Sequence, residues 1–477
     1  MAESADAVVV GSGPNGLAAA ITLARAGRSV IVLEANDTIG GACRSAELTE
    51  PGVIHDLGSA IHPMGRGSQF FVEIANDLAR HGLKWVVPPA GVAHPLDDGR
   101  AGIAWNELDR TVDALGEDGP HYRRIFEPFV NRSEEFLDLA LNPLVRRPRD
   151  PLLAARFGAL AALPASTLAK RTWKTDEAQA LFAGHAGHAI LPLTAPFTSS
   201  FGLLLGSLVH SVGWGFPQGG AQSLTDAMVA YLQELGGEVR TGVRVDSLES
   251  IPQFKALILA LTPVHVDAIA GDRFTESFRG HLQRWRYGSA AWKLDYVLDG
   301  PVPWTNPEVS EAGTVHVGGP LGEIVESTSM VADGGHPDKP FVLVAQHSNF
   351  DPTRAPDGMH TVWAYSHVPN GSDTDRSDAM ESQIERFAPG FKDLIRIRHV
   401  TPPALLERDN ASLVGGDIGG GSHAGRQLFF RPRPTRSPFD TSDPQIFVGS
   451  ASTTPGGGVH GMGGYGAARR ALTTVLG

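Results

Sequence analysis

The chain switches between two hydrophobic periods, and the switches outline its elements. Ala7-Val8-Val9-Val10 is a short unbroken apolar run, the signature of a strand covered on both faces. Leu17, Ala20, Ile21 and Ala24 then recur at helical spacing until Gly27, and Ser29-Val30-Ile31-Val32-Leu33 is a second apolar run closed by Glu34. The helical period returns at Leu224, Met228, Tyr231, Leu232 and Leu235 and stops at Gly236-Gly237. Residues 238–245 alternate, with Val239, Thr241, Val243 and Val245 on one face, so a half-buried strand is predicted there. Residues 256–263 and 445–451 predict two more buried strands, and a helix is predicted from about Tyr465 to Leu476. Between these blocks, 66–212 reads as mostly helical, with helices at 70–81, 122–141 and 152–163. Residues 275–409 read as strands at 290–298, 341–347 and 361–368, forming an antiparallel sheet.

The junctions between elements carry the chemistry. Gly11-Ser12-Gly13-Pro14-Asn15-Gly16 joins the first strand to the first helix. Gly11 permits a tight turn, Gly13 lets backbone approach a pyrophosphate, and Gly16 lets the helix pack closely on the strand. The helix start offers unpaired N–H groups and partial positive charge to phosphates. Glu34 can accept a hydrogen bond from a ribose hydroxyl, and its charge repels a 2′-phosphate. Strand, glycine turn, helix, strand and acid together predict a dinucleotide site that includes Gly11, Gly13, Pro14, Asn15, Gly16 and Glu34. In Ile39-Gly40-Gly41-Ala42-Cys43-Arg44-Ser45, the pair Gly40 and Gly41 brings backbone close a second time, and Arg44 can meet a phosphate. Near the C-terminus, Gly449-Ser450-Ala451 leads into Thr453-Thr454-Pro455-Gly456-Gly457-Gly458-Val459-His460-Gly461-Met462-Gly463-Gly464 and a helix, a second device for holding negative charge.

Several of these strings resemble flavoproteins of the amine oxidase and phytoene desaturase superfamily. They are the 39–45 stretch, then His55-Asp56-Leu57-Gly58-Ser59-Ala60-Ile61-His62-Pro63, and then the order Pro217-Gln218-Gly219-Gly220, helix, Gly236-Gly237-Glu238, strand, Thr262-Pro263. The C-terminal glycine string looks like that of phytoene desaturases, carotenoid isomerases and retinol saturase. Weaker likenesses at 354–361, 415–418 and Arg431-Pro432 extend the resemblance over nearly the whole chain, and the nearest type is the bacterial phytoene-dehydrogenase-like oxidoreductase.

The resemblance implies an α/β fold: a discontinuous Rossmann-type FAD-binding domain (1–65, 213–274, 410–477) and an α+β substrate domain (66–212, 275–409) with an antiparallel sheet and a helical insertion. It implies that Gly58, Ser59 and Ala60 run along the flavin, and that the backbone at Val243 meets the adenine. Gly449, Gly458, Val459 and His460 would face the ring and stabilise charge gathered on reduction. The strand around Lys293 is similar to the one whose lysine holds a water at flavin N5 in monoamine oxidases, and His62 and His460 flank the ring as candidate acids or bases. Lys293, His62 and His460 are therefore the catalytic candidates. Cys43, the one thiol, falls near the pyrophosphate, so FAD is expected to be held non-covalently. The implied activity is dehydrogenation of a largely apolar, isoprenoid-like substrate by hydride transfer to flavin N5. A redox-neutral isomerase, an amine oxidase and a weakly catalytic FAD-bound interaction protein stay open as alternatives. No aromatic pair reads as an amine cage.

Composition narrows this picture. With 477 residues, two or three domains are expected. A net charge of −12 argues against nucleic acid as a partner. A single cysteine fits a reducing, cytoplasmic home, and a strand beginning by residue 7 leaves no place for a signal peptide in this sequence. No second glycine fingerprint opens a helix, so oxygen or a quinone is expected to take the electrons in place of NADPH. His185 and His188 stand three apart without a cysteine or carboxylate at useful spacing, so no metal is expected. The apolar 151–163 stretch reads either as a peripheral membrane contact or as packing on its own domain or on a second subunit of a homodimer.

Overall fold

In the computed structural model, which describes residues 4–143 and 146–477, the first apolar runs sit side by side in a five-stranded sheet. Its order is Ile446–Val448, Gln253–Leu259, Ser4–Val10, Val30–Leu33, Glu238–Arg240, and every pairing is parallel. The strands thus come from three separated stretches of chain. Helix Pro14–Arg25 links the central pair, and helices Gln222–Glu234 and Met462–Thr474 pack against it. Glycines set how closely they approach. A Cβ on Gly464 would lie 1.6 Å from the Asn15 carbonyl oxygen, so no other residue lets the two helix starts converge.

The predicted 238–245 strand stops at Arg240. Gly242, at φ +68°, turns the chain, and the N–H groups of Gly242 and Val243 donate to the carbonyls of Asn36 and Glu34 (2.9 and 2.8 Å). The chain therefore folds over the end of the neighbouring strand and leaves the ladder.

A seven-stranded sheet forms the second layer, in the order Ile395–Thr401, Ala290–Leu298, His360–Val368, Val342–Ala345, Ala312–Val317, Ala90–Pro95, Ala101–Trp105. It is antiparallel except where Ala312–Val317 pairs with Ala90–Pro95. Two of its strands lie in the stretch read as helical. Asp98-Gly99, with Gly99 at φ +78°, is the hairpin signal that marks them. The helix expected over 70–81 is divided into Gln69–Glu73 and Ala75–Arg80, and that over 122–141 into Gly119–Val130 and Ser133–Ala140, broken where Arg132 leaves helical geometry. The 152–163 expectation is met by Pro151–Ala161, capped by Asp150, whose Oδ1 accepts from the N–H groups of Leu152 and Leu153. Among the described residues no single helix is long and apolar enough to cross a membrane.

Candidate functional site

One cavity of about 790 Å³ runs between the two sheets. One half is built by loops at the ends of the parallel strands: Gly11 to Gly16, Glu34 to Asn36, Gly41 to Cys43, Gly58 to Met64, Val243 to Asp246, Pro455 and Gly457 to His460. The other half is walled by helices and the seven-stranded sheet: Leu139, Leu141, Phe157, Phe201, Leu204 and Phe429 on the helical side, and Lys293, Thr314, Leu343, Trp363 and Tyr365 on the sheet.

The loop half is mostly backbone. Helix Pro14–Arg25 starts at Gly13 with no side-chain cap, so its first N–H groups face the cavity unpaired. Gly13 and Gly41 meet face to face, and a Cβ on Gly41 would lie 3.0 Å from Gly13 Cα. A Cβ on Gly457 would meet the Gly419 carbonyl oxygen at 2.8 Å, so the opposite loop is equally bare. Glu34 is buried and stays on the wall. Its Oε2 accepts from the Ser12 N–H and hydroxyl (2.9 and 2.6 Å), and its Oε1 accepts from the Asn36 N–H (2.9 Å). A carboxylate has about four acceptor positions, so one is left for a ligand hydroxyl. This cradle, with an uncapped helix start at Gly13, two bare glycine loops and a fixed acid, fits a dinucleotide.

Not every sequence candidate reaches the cavity. Arg44 does not line it: its guanidinium donates to the carbonyls of Gly41 and Asp409 (2.9 and 2.7 Å) and to the Thr38 hydroxyl (3.2 Å). Burial beside three acceptors makes it a clamp on the glycine loop. Gly40, at φ +117°, shapes the same turn behind the wall. Gly449 is also off the wall. A Cβ there would lie 2.9 Å from Ala467, so it serves the packing of the last helix on its strand. Pro14, Asn15, Gly58, Ser59, Ala60, Val243, Gly458 and Val459 all line the cavity. Val243 has already given its N–H to Glu34. Val245, two residues on and buried, lines the cavity with its N–H unpaired among the described residues, and the sequence reading passed over it.

The catalytic candidates separate in the same way. Both ring nitrogens of His460 are tied to the loop: Nε2 bonds the Gly456 carbonyl (3.1 Å) and Nδ1 accepts from the Met462 N–H (3.0 Å). Burial pulls its pKa down to about 4, so it is a neutral brace with no proton to exchange near pH 7. His62 bonds Ser59 Oγ through Nε2 (3.0 Å), with Cys43 Sγ at 3.9 Å, and burial brings it to about 4 as well. Burial pushes the Cys43 thiol up to about 12, so it stays protonated and unreactive.

Lys293 is on the wall and buried. Its Nζ donates to Asp295, the next residue on the same face of the strand, and Asp295 Oδ1 lies 3.8 Å from His55 Nδ1. Beneath that strand Asp56 meets Arg354 (2.9 Å), the Ser45 hydroxyl (2.7 Å) and the Ala221 N–H (2.7 Å). Burial alone would raise the Asp56 carboxyl, but Arg354 and His347 outweigh it and hold it well below the usual carboxylate range. Asp295 and the Asp56–Arg354 pair carry no linear motif, so only strand register reveals them. Trp363 and Tyr365, ring centroids 5.1 Å apart, stand beside Lys293 and are the aromatic pair the sequence did not disclose. Three carboxylates line the cavity among the described residues, Glu34, Asp246 and Asp409, and all belong to the loop half.

Comparison with known proteins agrees with this geometry. A family model described as "Flavin containing amine oxidoreductase" matches residues 15–272. The mouse "Pyridine nucleotide-disulfide oxidoreductase domain-containing protein 2" is 27% identical, over 97% of this chain and 92% of its own. The "Phytoene desaturase (neurosporene-forming)" of Rhodobacter capsulatus is 26% identical, over 96% of this chain and 92% of its own. Among solved structures, a redesigned putrescine oxidase superposes with a TM-score of 0.63 over 99% of both chains at 16% identity, which shows a shared fold.

Proposed function

The chain belongs to the flavin-containing amine oxidoreductase family and is an FAD-dependent oxidoreductase of the phytoene desaturase-like type, and from that premise we propose that it removes a hydride from a C–H bond of a largely apolar, isoprenoid-like substrate and leaves a C=C bond. The observation that carries this reading is the character of the substrate half. Its helical wall is mostly aliphatic and aromatic, Asn142, His188 and Ser200 being uncharged polar members, and the three carboxylates on the cavity wall among the described residues all lie in the other half. A protonated amine would enter without a counter-ion, which is costly away from water, whereas an extended hydrocarbon body gains on the order of 25 cal/mol for each Å² of apolar surface it buries.

FAD, when bound, supplies the hydride acceptor, held non-covalently. The residues that would hold it are the Gly11 to Gly16 turn at the pyrophosphate, Glu34 at a ribose hydroxyl, Val245 at the adenine, and Gly58 to Ala60 with Gly457 to Val459 along the ring. The N-terminus of helix Met462–Thr474 and its glycine loop would place partial positive charge where negative charge gathers. Lys293, fixed by Asp295, orients a water or holds a proton at the wall. The apolar walls limit the water that reaches the reacting carbon. Oxygen or a quinone serves as the final acceptor.

The test is anaerobic bleaching of the flavin band near about 450 nm with polyenes, amines and hydroxy compounds offered separately. Polyene or isoprenoid substrates should bleach it. Bleaching by amines alone, with peroxide released in air, would replace this reading with amine oxidation.

A further inference from the structure

Among the polar side chains on the substrate half, His188 and Thr314 stand apart from the chemistry placed beside Lys293. His188 follows the helix Asp176–Gly187 and reaches the cavity wall. Its Nε2 lies 3.0 Å from Nε2 of His316, while its other nitrogen has no protein partner among the described residues. His316 is fully buried and closed in by Gly184, where a Cβ would come within 2.5 Å of His316 Nδ1. It is a fixed backstop for the His188 ring. Thr314 lies two residues before His316 on the same strand face. It lines the cavity, is 5% exposed, and its Oγ1 is buried without a partner. Unpaired hydroxyl and imidazole groups in an apolar wall carry a desolvation cost that a ligand atom removes.

Resting on the reading of the cavity as a site for FAD plus an apolar substrate, we propose that His188 and Thr314 form a hydrogen-bonding subsite for one neutral oxygen, a hydroxyl or a carbonyl, at the end of the substrate. The molecule that fits is long, apolar along its body and uncharged at a single polar head; a plain hydrocarbon leaves the subsite unmet. An ionic head has no counter-charge there, because the charged side chains on this sheet face, Lys293 and Asp295, stand three strands away. Register gives the distance. His316 pairs with Leu343, Leu343 with Tyr365, and Tyr365 with Lys293, while Thr314, Ala345, Trp363 and Asp295 form the adjacent row. Three strand spacings are about 14 Å. The oxygen therefore sits on the order of ten carbon–carbon bonds from the position beside Lys293.

The experiment uses the FAD-loaded protein and two probes of one length, dodecan-1-ol and dodecane, followed by perturbation of the FAD absorption spectrum and by melting temperature. Wild type should bind the alcohol about tenfold more tightly than the hydrocarbon. His188→Leu and Thr314→Val should each remove most of that advantage and leave dodecane binding unchanged. His188→Asn, which keeps a donor and an acceptor, should restore a large part of it. Thr314→Val decides the matter if His188→Leu loses its flavin. Equal binding of the two probes by wild type, or undiminished alcohol binding by the variants, overturns the subsite while leaving the apolar pocket intact. If neither probe binds wild type, the apolar reading itself fails and the subsite with it.

Discussion

The two halves of the cavity are made from different parts of the polypeptide. The loop half uses backbone, and what the sequence must supply there is the absence of side chains, at Gly13, Gly41 and Gly457. The substrate half uses side chains gathered from residues as distant as Leu139, Lys293 and Phe429. Backbone N–H groups are alike in every residue, so a glycine loop can only fix where an anion goes. Side chains differ, so the opposite wall decides which molecule enters. Binding of the cofactor and choice of the substrate are thus separable in this chain, and substitutions should separate them.

Glu34→Arg is the most damaging change expected on the loop side. It puts a cation among the Ser12 and Asn36 donors that now bind a carboxylate, and it fills the ribose position. FAD occupancy should fall more than about a hundredfold, a loss of roughly 3 kcal/mol in binding. The ratio of flavin to protein absorbance measures this, and a fully yellow variant would remove Glu34 from the site.

Lys293→Met is the matching change on the other wall. FAD should stay bound while flavin reduction or reoxidation slows by about a hundredfold, the lower end of what a positioned proton-handling group contributes. Removing one partner of a buried pair strands the other, at a cost of roughly 3–5 kcal/mol. The Lys293→Met/Asp295→Asn double variant should therefore be more stable than Lys293→Met and equally slow. Unchanged rates in both half-reactions would make Lys293 a structural residue.

Acid should loosen the two halves unequally. His94, His185 and His367 are held near about 4 and His188 near about 3, burial being the first cause in each, and His316 lies well below its ordinary value. A histidine depressed in the folded state binds its proton more readily when unfolded. Its contribution is complete above about pH 6.5 and is lost as pH falls toward the folded value, by up to about 1.4 kcal/mol per pH unit for each group. This group packs about helix Asp176–Gly187 and strand Ala312–Val317, whereas other histidines lowered by burial, His55, His62, His210, His347, His423 and His460, all lie off strand Ser4–Val10. Hydrogen exchange between pH 6.5 and 4.5 should open helix Asp176–Gly187 and strand Ala312–Val317 before strand Ser4–Val10. Simultaneous opening would deny the halves separate stability.

The same division explains what the sequence disclosed. The Gly11 turn, Glu34 and the C-terminal glycine loop each stand at a junction next to a strand or helix with a clear hydrophobic period, so linear motifs expose them. Arg44 and Gly449 stand behind the cavity wall, and motif position does not tell a wall residue from the one bracing it. That distinction depends on Asp409, far from Arg44 in the chain, and on how the last helix brings Ala467 against Gly449. The row of Lys293, Tyr365, Leu343 and His316 exists only once three strand registers are fixed, so no local pattern contains it. The hairpin through Asp98-Gly99 was legible but was hidden by the apolar, alanine-rich character of the surrounding stretch.

The smallest effect should come from a residue one turn away from a sensitive one. Helix Pro151–Ala161 turns Phe157 toward the cavity, where it packs on Phe136 at 5.1 Å between centroids, and leaves Leu152 80% exposed. Phe157→Ala opens the substrate wall and should weaken binding of an apolar substrate by about tenfold, because a half-buried aromatic contributes on the order of 1–2 kcal/mol of contact. Leu152→Ser removes apolar surface that water already covers. Its stability should stay within about 0.5 kcal/mol of wild type, roughly 1 °C in melting temperature, with FAD content and turnover unaltered. A fall of several degrees, or a change from dimer to monomer in light scattering, would mean that a second copy covers this face. The 151–163 segment would then belong to a subunit interface as well as to the cavity wall.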